Sequence, residues 1–466
     1  MRKPNVIVFF TDQQRFDTTG LHGNPMGLTP NFDRYGRQGT HLFNSISCQP
    51  LCGPARSCMQ TGRYATQTGC WRNHIPLSPQ SETLAHQFNK GGYHTCYIGK
   101  WHLGSQDAVI ESQRGGYKEW LGANLLEFSS DAYDTLLWNN DNQRVKLPGY
   151  RVDALTDAAI RFIDRNQEKP FFLFMSFLEP HHQNHLDNYP PPVGRGVDTN
   201  HWVPPDLLGL GGSYAQHLGG YYGMVRRLDE AFGRMMDALI SLGLRENTIV
   251  LFTSDHGCHF KTRNSEYKRS CHESSVRLPT ILTGPGFMGG GEVRNLFSTI
   301  DVAPTLLDAA GLEIPASMTG RSILSVVRDK STPWRDDVFI QISESQTGRA
   351  VRTQRWKYAV TAPYDHDLQS ADTYTEDALF DLDNDPYELV NLAGMRPFRP
   401  VADDLKNRLL ANILQVESKT PHIIDAPTRD PLQLMPNKGA GVSGSRLDID
   451  PYKSPLLDLT DEFAKR

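Results

Sequence analysis

Short apolar runs without polar alternation recur along the chain, at residues 6–10, 171–177, 248–253 and, more briefly, 279–282. Runs of this kind are typical of strands in a parallel sheet whose two faces are both covered. Segments with helical periodicity lie between them. This alternation of strands and helices predicts an α/β fold with a doubly wound, mostly parallel sheet.

The helical segments are marked by the spacing of their apolar residues. One helix is predicted to run from Thr29, as its N-cap, and Pro30 in its first turn to Arg37. The apolar faces of two others are Leu155, Ala159, Phe162 and Ile163, and Val225, Leu228, Phe232, Met235 and Leu239. The second of these is expected to stop near Gly243. Residues 105–150 and 185–214 show no such pattern and are predicted to be long irregular loops.

The pattern changes after about residue 334. Residues 338–342, 350–352 and 356–360 are typical of short antiparallel strands, and a later helix presents Leu405, Leu409 and Ile413 on one face. We therefore predict two domains. The first is an α/β domain over residues 1–335, and the second is a smaller α+β domain over residues 336–466, with a short antiparallel sheet and an irregular tail.

Composition narrows the classes of function. The 466 residues include 38% hydrophobic and 22% charged residues, which is ordinary for a globular protein, and the net charge of -5 gives no reason to expect nucleic acid binding. The first apolar run is too short for a secretory signal, and no run approaches bilayer length. We expect no membrane span and a cytoplasmic location, or a periplasmic or secreted one if a leader was removed. Seven cysteines in a chain of this length do not indicate a disulfide framework.

Polar residues follow three of the predicted strands. Asp12 and Gln13 follow the first, residues 179–182 (EPHH) follow the second, and Asp255 and His256 follow the third. Ligands of open α/β sheets bind beyond the carboxyl ends of the strands, so we expect these side chains to converge on one site.

A thiol with a cation close by lies in the stretch CGPARSCMQTGR, residues 52–63. Cys52 is followed by Pro54 and Arg56, a combination that suggests a reactive side chain held near an anion. The alternative is a buried cysteine that precedes a helix with proline in its first turn.

Several motifs, in this order along the chain, resemble those of type I sulfatases, which belong to the alkaline phosphatase-like superfamily. The matching segments are VIVFFTDQ (6–13), TPNFD (29–33), CGPAR with TGR (52–63), GKWHLG (99–104), PH (180–181), SDHG (254–257), KRSCHESSVRLP (268–279), DVAPT (301–305), WKY (356–358) and LFDLDNDPYE (379–388). The resemblance covers about residues 5–415 and implies a sulfuric ester hydrolase.

The resemblance also implies cofactors. In that family a maturation enzyme oxidises the motif cysteine to formylglycine, so Cys52 would become an aldehyde whose hydrate is the nucleophile. A divalent cation would be held by Asp12, Gln13, Cys52, Asp255 and His256. Ligation rich in oxygen favours Ca²⁺, with Mg²⁺ and Mn²⁺ as alternatives. Gln13 and His256 stand where the family often has Asp and Asn, and the nitrogen ligand moves the preference towards Mn²⁺.

The remaining catalytic roles are implied in the same way. Arg56 would hold the metal side of the nucleophile, and Lys100 and Lys268 would neutralise the sulfate oxygens. His102 would take a proton from the second hydroxyl of the hydrate. His181, with Lys268, would protonate the leaving oxygen.

The substrate expected is a sulfated small molecule or oligosaccharide. Asn73, His74, His182 and His185 are candidate substrate-binding residues, with solvent exposure as the alternative. Tryptophans in or near the predicted loops would either stack on sugar rings or serve ordinary packing; they are Trp71, Trp120, Trp138 and Trp202.

Two other functions remain open at this point. One is a phosphonate monoester or phosphodiester hydrolase on the same scaffold, because relatives with Gln and His at positions 13 and 256 include phosphonate monoester hydrolases. The other is a binding homologue that keeps the fold but leaves Cys52 unmodified and does not catalyse.

Overall fold

The structure is a computed structural model that describes residues 2–196, 201–362 and 368–430. Its strands are β1 (Asn5–Thr11), β2 (Thr40–Leu42), β3 (Ser45–Ile46), β4 (His94–Lys100), β5 (Glu119–Ala123), β6 (Thr135–Trp138), β7 (Arg144–Leu147), β8 (Phe171–Ser176), β9 (Thr248–Ser254), β10 (Arg277–Leu278), β11 (Ile281–Thr283), β12 (Gly291–Val293), β13 (Phe297–Ser298), β14 (Asp337–Ile342), β15 (Gly348–Thr353), β16 (Trp356–Thr361), β17 (Thr373–Asp381) and β18 (His422–Ile424). Its α-helices are α1 (Pro30–Gln38), α2 (Cys52–Thr61), α3 (Ala65–Thr68), α4 (Leu84–Lys90), α5 (Leu126–Ser129), α6 (Arg151–Arg165), α7 (Pro205–Leu210), α8 (Tyr214–Ser241), α9 (Glu273–Val276), α10 (Val302–Ala309), α11 (Leu324–Arg328) and α12 (Arg399–Glu417).

The larger sheet has ten strands in the order β12-β2-β11-β9-β1-β8-β4-β5-β6-β7. From β9 through β1, β8 and β4 to β5 all pairings are parallel. Alternate residues of β1 enter different hydrophobic clusters: Ile7 and Phe9 enter one with residues of α6 and α8, and Val6 and Val8 enter another. Both faces are covered, so the sequence shows no polar alternation. The predicted doubly wound sheet is confirmed.

The run at residues 279–282 pairs differently from the prediction. Its strand, β11, is antiparallel to both β9 and β2. For β11 to pair in parallel with β9, a crossover would have to carry the chain back to the end of the sheet at which β9 begins. Here the chain returns from the carboxyl end of β9 through α9, a helix of 4 residues. The parallel arrangement predicted for this run is wrong.

Residues 105–150, predicted to be irregular, contain β5, α5, β6 and β7. The last two form an antiparallel hairpin at the edge of the sheet, and Asn139 Oδ1 accepts the backbone N–H groups of Asp141 and Gln143 in its turn. The strands are short and partly exposed, which leaves little periodicity to detect. In residues 185–214 the structure has the short helix α7, and residues 197–200 are outside the described part.

The predicted helices exist, but one cap is different. The backbone amides of Asn31 and Phe32 at the start of α1 donate to the Asp229 carboxylate of α8, at 3.0 and 2.8 Å. Thr29 occupies the N-cap position, as predicted, but its Oγ1 accepts the N–H of Gly20 at 3.3 Å and its side chain makes no capping bond. α6 buries the predicted face, and α8 begins at Tyr214, earlier than its apolar pattern indicated.

The smaller C-terminal region contains a five-stranded sheet, β14-β15-β16-β17-β18, in which the first four strands are antiparallel. Leu405, Leu409 and Ile413, the predicted apolar face of α12, are buried in a hydrophobic cluster with residues of this sheet. The boundary between residues 335 and 336 stays a prediction, and the tail from residue 431 lies outside the described residues. In the described part, every helix is too short or too polar to cross a membrane.

Candidate active site

The thiol of Cys52 lies at the beginning of α2, every residue of which is buried. Pro54 is tolerated there because N–H groups in the first turn have no partner within the helix. The helix ends at Gly62, whose φ of 66° is a left-handed conformation that suits glycine. Asn73 Oδ1 accepts the N–H of Gly53 at 3.1 Å. The positive end of the helix dipole therefore lies at Cys52, where it favours a negative charge.

Four possible metal ligands converge at this point. Ligand atoms of Asp12, Cys52, Asp255 and His256 all lie within 4.8 Å of one another, and all four residues are buried. The ends of β1 and β9 supply three of them, so the strand-end argument brought them together correctly. His256 Nδ1 lies 2.9 Å from the Gly257 carbonyl, to which it donates, and Nε2 lies 3.2 Å from Cys52 Sγ. The Nε2 lone pair is therefore available to a cation.

Two further oxygens at this cluster support a cation site. Gln13 Oε1 and Asp255 Oδ2 are buried and have no hydrogen-bond partner in the described residues. Gln13 Nε2 donates to Cys258 Sγ at 3.3 Å, so the amide oxygen is the free end of that side chain. A buried oxygen without a partner is costly, and a cation would satisfy it. Carboxylate, amide oxygen and imidazole nitrogen are donors that Ca²⁺, Mg²⁺ or Mn²⁺ accept, so these residues fit a divalent cation.

Arg56 connects the two carboxylates. Its Nη2 lies 2.9 Å from Asp12 Oδ2 and 3.4 Å from Asp255 Oδ2. Its Nη1 donates to the Lys100 carbonyl and to Ser176 Oγ, at 2.8 and 2.7 Å. Arg56 therefore contacts the aspartates and the end of β4, and these contacts make it a positioning residue for the carboxylates. Burial and the charge of Asp12 raise the pKa of Asp255 to about 6.

Two lysines supply positive charge at the thiol. Lys100 Nζ is 2.8 Å from Asp12 Oδ2 and 3.0 Å from Glu127 Oε1. Lys268 Nζ is 2.9 Å from Cys52 Sγ and 2.9 Å from His181 Nε2. Burial alone would raise the pKa of Cys52, but the charges of Lys100 and then Lys268 outweigh it and hold that pKa well below its ordinary value. The site therefore stabilises negative charge at position 52.

The two predicted catalytic histidines both lie in the site. His181 Nδ1 is 2.6 Å from the His182 carbonyl, so it carries the proton, and Nε2 accepts from Lys268. Burial and the adjacent Lys268 lower the pKa of His181, which favours the neutral ring. His102 follows β4 in a left-handed conformation with φ of 58°, and its Nδ1 lies 3.9 Å from Glu127 Oε1.

Comparison with known proteins identifies the family. The sulfatase family model matches residues 4–312. The chain belongs to the sulfatase family. A second model, for the C-terminal region of N-sulphoglucosamine sulphohydrolase, matches residues 265–415 of this sulfatase. The protein is thus a sulfuric ester hydrolase, as the sequence motifs indicated.

Individual relatives resemble the sulfatase over most of its length. It is 29% identical to an ulvan-active sulfatase of Formosa agariphila over 430 residues, 87% of this chain and 80% of the relative. It is 26% identical to an N-acetylglucosamine-6-O-sulfatase of Bacteroides thetaiotaomicron, over 90% of this chain and 88% of the relative. A solved structure in complex with its substrate D-glucosamine-2-N,6-O-disulfate superposes with a TM-score of 0.75 at 23% identity, over 90% of this chain and 99% of that one.

Glu127 is a residue of the sulfatase site that no sequence motif indicated. It lies on α5, directly after the carboxyl end of β5, and is 3% exposed. The strand-end argument would have found it if β5 had been recognised. The weak pattern of residues 105–150 concealed both.

The candidate substrate-binding residues of the sulfatase fall into two groups. The ring of His182 stacks on His181, with centroids 4.5 Å apart, and Asn73 contacts the first turn of α2. His74 is exposed, and His185 is exposed and paired with Asp131 at 3.0 Å. The first two therefore lie beside the catalytic groups and the other two lie at the surface; substrate binding by all four stays a prediction.

Two of the four tryptophans belong to the interior of the sulfatase. Trp120 and Trp138 are 2% and 7% exposed and lie in hydrophobic clusters. Sugar stacking is wrong for this pair, because burial in β5 and β6 leaves no ring face accessible. Trp71 and Trp202 are partly exposed.

Proposed function

We propose that this sulfatase hydrolyses sulfate esters of carbohydrates, using a formylglycine made from Cys52 and a divalent cation. The convergence of Asp12, Cys52, Asp255 and His256 beside Lys268 carries the proposal. A formylglycine hydrate and the cation would supply an ionised hydroxyl as nucleophile. The expected partners are a sulfated oligosaccharide or small-molecule substrate and a maturation enzyme that generates the formylglycine.

The residues around Cys52 supply the charge and proton chemistry that a sulfate ester needs. Lys100 and Lys268 are cations near Cys52 that attract the sulfate oxygens and stabilise their charge in the transition state. His181 and Lys268 are 2.9 Å apart and together deliver a proton to the leaving sugar oxygen. His102 lies close to Cys52 and accepts the proton released when sulfate departs.

For the cation we propose Ca²⁺ first, with Mn²⁺ and Mg²⁺ as alternatives. Asp12, Asp255 and Gln13 offer oxygen ligands, which Ca²⁺ prefers. His256 offers one nitrogen through Nε2, which suits Mn²⁺ better. The metal that most raises the melting temperature of the stripped protein, at equal concentration, identifies the preferred ion.

A carbohydrate substrate is supported by the names of the relatives, an ulvan-active sulfatase and an N-acetylglucosamine-6-O-sulfatase. It is also supported by the surface beside α5. Phe128, 58% exposed, lines a cavity of about 460 Å³ together with Asp131, Lys146 and His185. An exposed aromatic ring next to paired charged groups is suited to a sugar, which offers both an apolar face and hydroxyls.

The test is release of inorganic sulfate from a panel of sulfated monosaccharides and oligosaccharides by protein co-expressed with a formylglycine-generating enzyme. We expect turnover of at least one carbohydrate sulfate, and none by Cys52→Ala. Turnover of aryl sulfates without any carbohydrate sulfate would contradict the substrate class.

A phosphonate monoester or phosphodiester hydrolase is the second candidate, because His256 is part of the metal cluster and Gln13, beside Asp12, keeps a buried amide oxygen without a partner in the described residues. Paired assays on aryl sulfate and aryl phosphonate esters separate the two activities. A kcat/KM for the phosphonate far above that for the sulfate would favour this candidate.

The unmodified binding homologue is tested separately. In that case Cys52 would stay a thiol in the native host, and ligand binding would occur without turnover.

A further inference from the structure

The Glu127 carboxylate has no part in the chemistry described above, although it lies inside the site. Its Oε1 is 3.0 Å from Lys100 Nζ and 3.9 Å from His102 Nδ1. Its Oε2 is buried and has no hydrogen-bond partner in the described residues. Burying a carboxylate with one unpartnered oxygen costs free energy, and this one lies next to the groups that receive an anion, which points to a functional role for Glu127.

The main chain around Glu127 is held firmly. Gln183 Nε2 donates to the carbonyl of Glu127 at 2.7 Å and to that of Ser130 at 2.8 Å. Arg151 Nη2 in turn donates to Gln183 Oε1 at 3.2 Å, and its Nη1 to the Ser130 carbonyl at 3.2 Å. These contacts fix the main chain of α5 at Glu127 and at Ser130 just beyond the helix, and so set the position from which the Glu127 side chain reaches Lys100.

The charged side chains around Cys52 at pH 8, the pH of the experiment below, show what Glu127 changes. The cations are Arg56, Lys100 and Lys268, and the carboxylates are Asp12, Asp255 and Glu127. Asp12 and Asp255 are candidate ligands of the cation. Of these three carboxylates, Glu127 is the one outside that ligand set, and its neutralisation raises the net charge around Cys52 by one, whichever metal is bound.

The charge around Cys52 matters because two classes of ester differ by one unit of charge. A sulfate ester carries one negative charge, whereas a phosphate monoester carries close to two above about pH 7, since its second pKa is about 6. In a buried site an added positive charge attracts a dianion more strongly than a monoanion. A negative charge next to Lys100 has the opposite effect and penalises the dianion more.

Resting on the proposed function, we propose that Glu127 is a specificity-determining residue. Its negative charge beside Lys100 reduces the positive charge that Lys100 and Lys268 present to the substrate. This favours monoanionic sulfate esters over dianionic phosphate monoesters. Discrimination between the two classes of ester is a difference between two binding free energies, so it is measured as the ratio of the affinities for the phosphate and the sulfate.

The experiment measures binding in a Cys52→Ala background, where neither maturation nor turnover intervenes. Phenyl sulfate and phenyl phosphate are titrated at pH 8 by calorimetry, with Ca²⁺ present. We expect Glu127→Gln to raise the ratio of phosphate to sulfate affinity by about tenfold or more, since it removes one buried charge. Glu127→Asp, which keeps the charge, should leave the ratio close to that of the parent.

A matched control is Glu376→Gln. Glu376 is also buried and paired with a cation, Arg399, at 2.8 Å, but it belongs to β17 of the smaller sheet. The ratio of phosphate to sulfate affinity in Glu376→Gln should equal that of the Cys52→Ala parent. If Glu127→Gln melts too early to be measured, Glu127→Met is the second neutral variant with the same expected ratio.

Two results would overturn the proposal: an unchanged ratio in the neutral variant, or an equal loss of affinity for both ligands, which would make Glu127 a structural residue. Failure of the proposed function gives a different pattern. The wild type would then hydrolyse no sulfate ester, while the binding ratio in the Cys52→Ala background would still shift with Glu127.

Discussion

Two buried arginines in this sulfatase each lie between two aspartates, and they use their donors differently. Arg15 donates five hydrogen bonds of 2.7 to 3.0 Å to Asp17, Asp206 and the Cys258 carbonyl. All five N–H groups of the guanidinium are thus engaged. Every oxygen of the two carboxylates has a partner as well. This cluster is complete in itself.

In the cluster around Arg56, by contrast, some buried donors and acceptors have no partner in the described residues. Arg56 contacts Asp12 and Asp255, but its Nε and Asp255 Oδ2 have no hydrogen-bond partner in the described residues. Two neighbouring side chains, Gln13 and Glu127, also keep a free buried oxygen. The difference separates a cluster that holds the fold from one that has bonding capacity left for a metal and an anion.

The largest effect we expect is the loss of activity in Cys52→Ala. Turnover of an aryl sulfate should fall at least ~10³-fold, because the variant cannot supply the nucleophile. Cys96→Ala is the matched control, since Cys96 is equally buried but lies in the hydrophobic core of β4, and it should keep most of the activity. Residual activity in Cys52→Ala close to that of the control would contradict the role of Cys52.

The arginine comparison itself is tested by Arg15→Met and Arg56→Met. Arg15→Met leaves two buried carboxylates unpaired and should lower the free energy of unfolding by about 3–5 kcal/mol in denaturant titrations. Arg56→Met should cost less stability in the presence of the metal, which can balance Asp12 and Asp255, but reduce kcat about 10²-fold. The reverse ranking of the two variants in stability and activity would break the comparison.

The incomplete cluster also predicts a pH dependence. The folded pKa of Asp255, about 6, lies above the ordinary aspartate value of 3.8. Between these values the folded protein keeps a proton that the unfolded chain releases, so in metal-free protein this group lowers stability as pH rises from about 4 to 6. Relative to Asp255→Asn, the free energy of unfolding should fall by about 2 kcal/mol across that window.

Saturating metal above pH 6 should restore the stability that Asp255 loses, since a cation favours the ionised carboxylate. Burial and the charge of Cys52 raise the pKa of Asp12, but Lys100 and Arg56 outweigh them and hold it below its ordinary value, so Asp12 loses its contribution only at lower pH. Parallel pH profiles for metal-free wild type and Asp255→Asn would show that Asp255 is not the group responsible.

The smallest effect concerns two adjacent buried glutamines. Gln13→Ala should weaken metal affinity roughly tenfold, seen as a smaller rise in melting temperature on metal addition. Gln14→Ala is its control: Gln14 is equally buried and its amide oxygen also lacks a hydrogen-bond partner in the described residues, but its Nε2 donates to Thr18 Oγ1, outside the metal cluster. Equal metal responses in both variants would remove Gln13 from the ligand set.

Much of the site could be predicted from sequence because its residues directly follow strands that are recognisable in the sequence, and the topology brings the ends of those strands together. Asp12 and Asp255 follow strands that are buried on both faces, and such strands are easy to recognise. Glu127 escaped because β5 and the hairpin after it are short and partly exposed. The Asp229 cap of α1 joins residues 197 and 198 positions apart, and no local pattern records such a contact.

The central claim is that Cys52 is the precursor of the nucleophile in a metal-dependent sulfatase. The most direct measurement is the mass of the peptide that contains Cys52, taken from protein co-expressed with a formylglycine-generating enzyme, with sulfate release measured on the same sample. We predict loss of the thiol sulfur and gain of an aldehyde oxygen at Cys52, in proportion to the specific activity. An intact thiol in protein that hydrolyses sulfate esters at full rate would contradict the account.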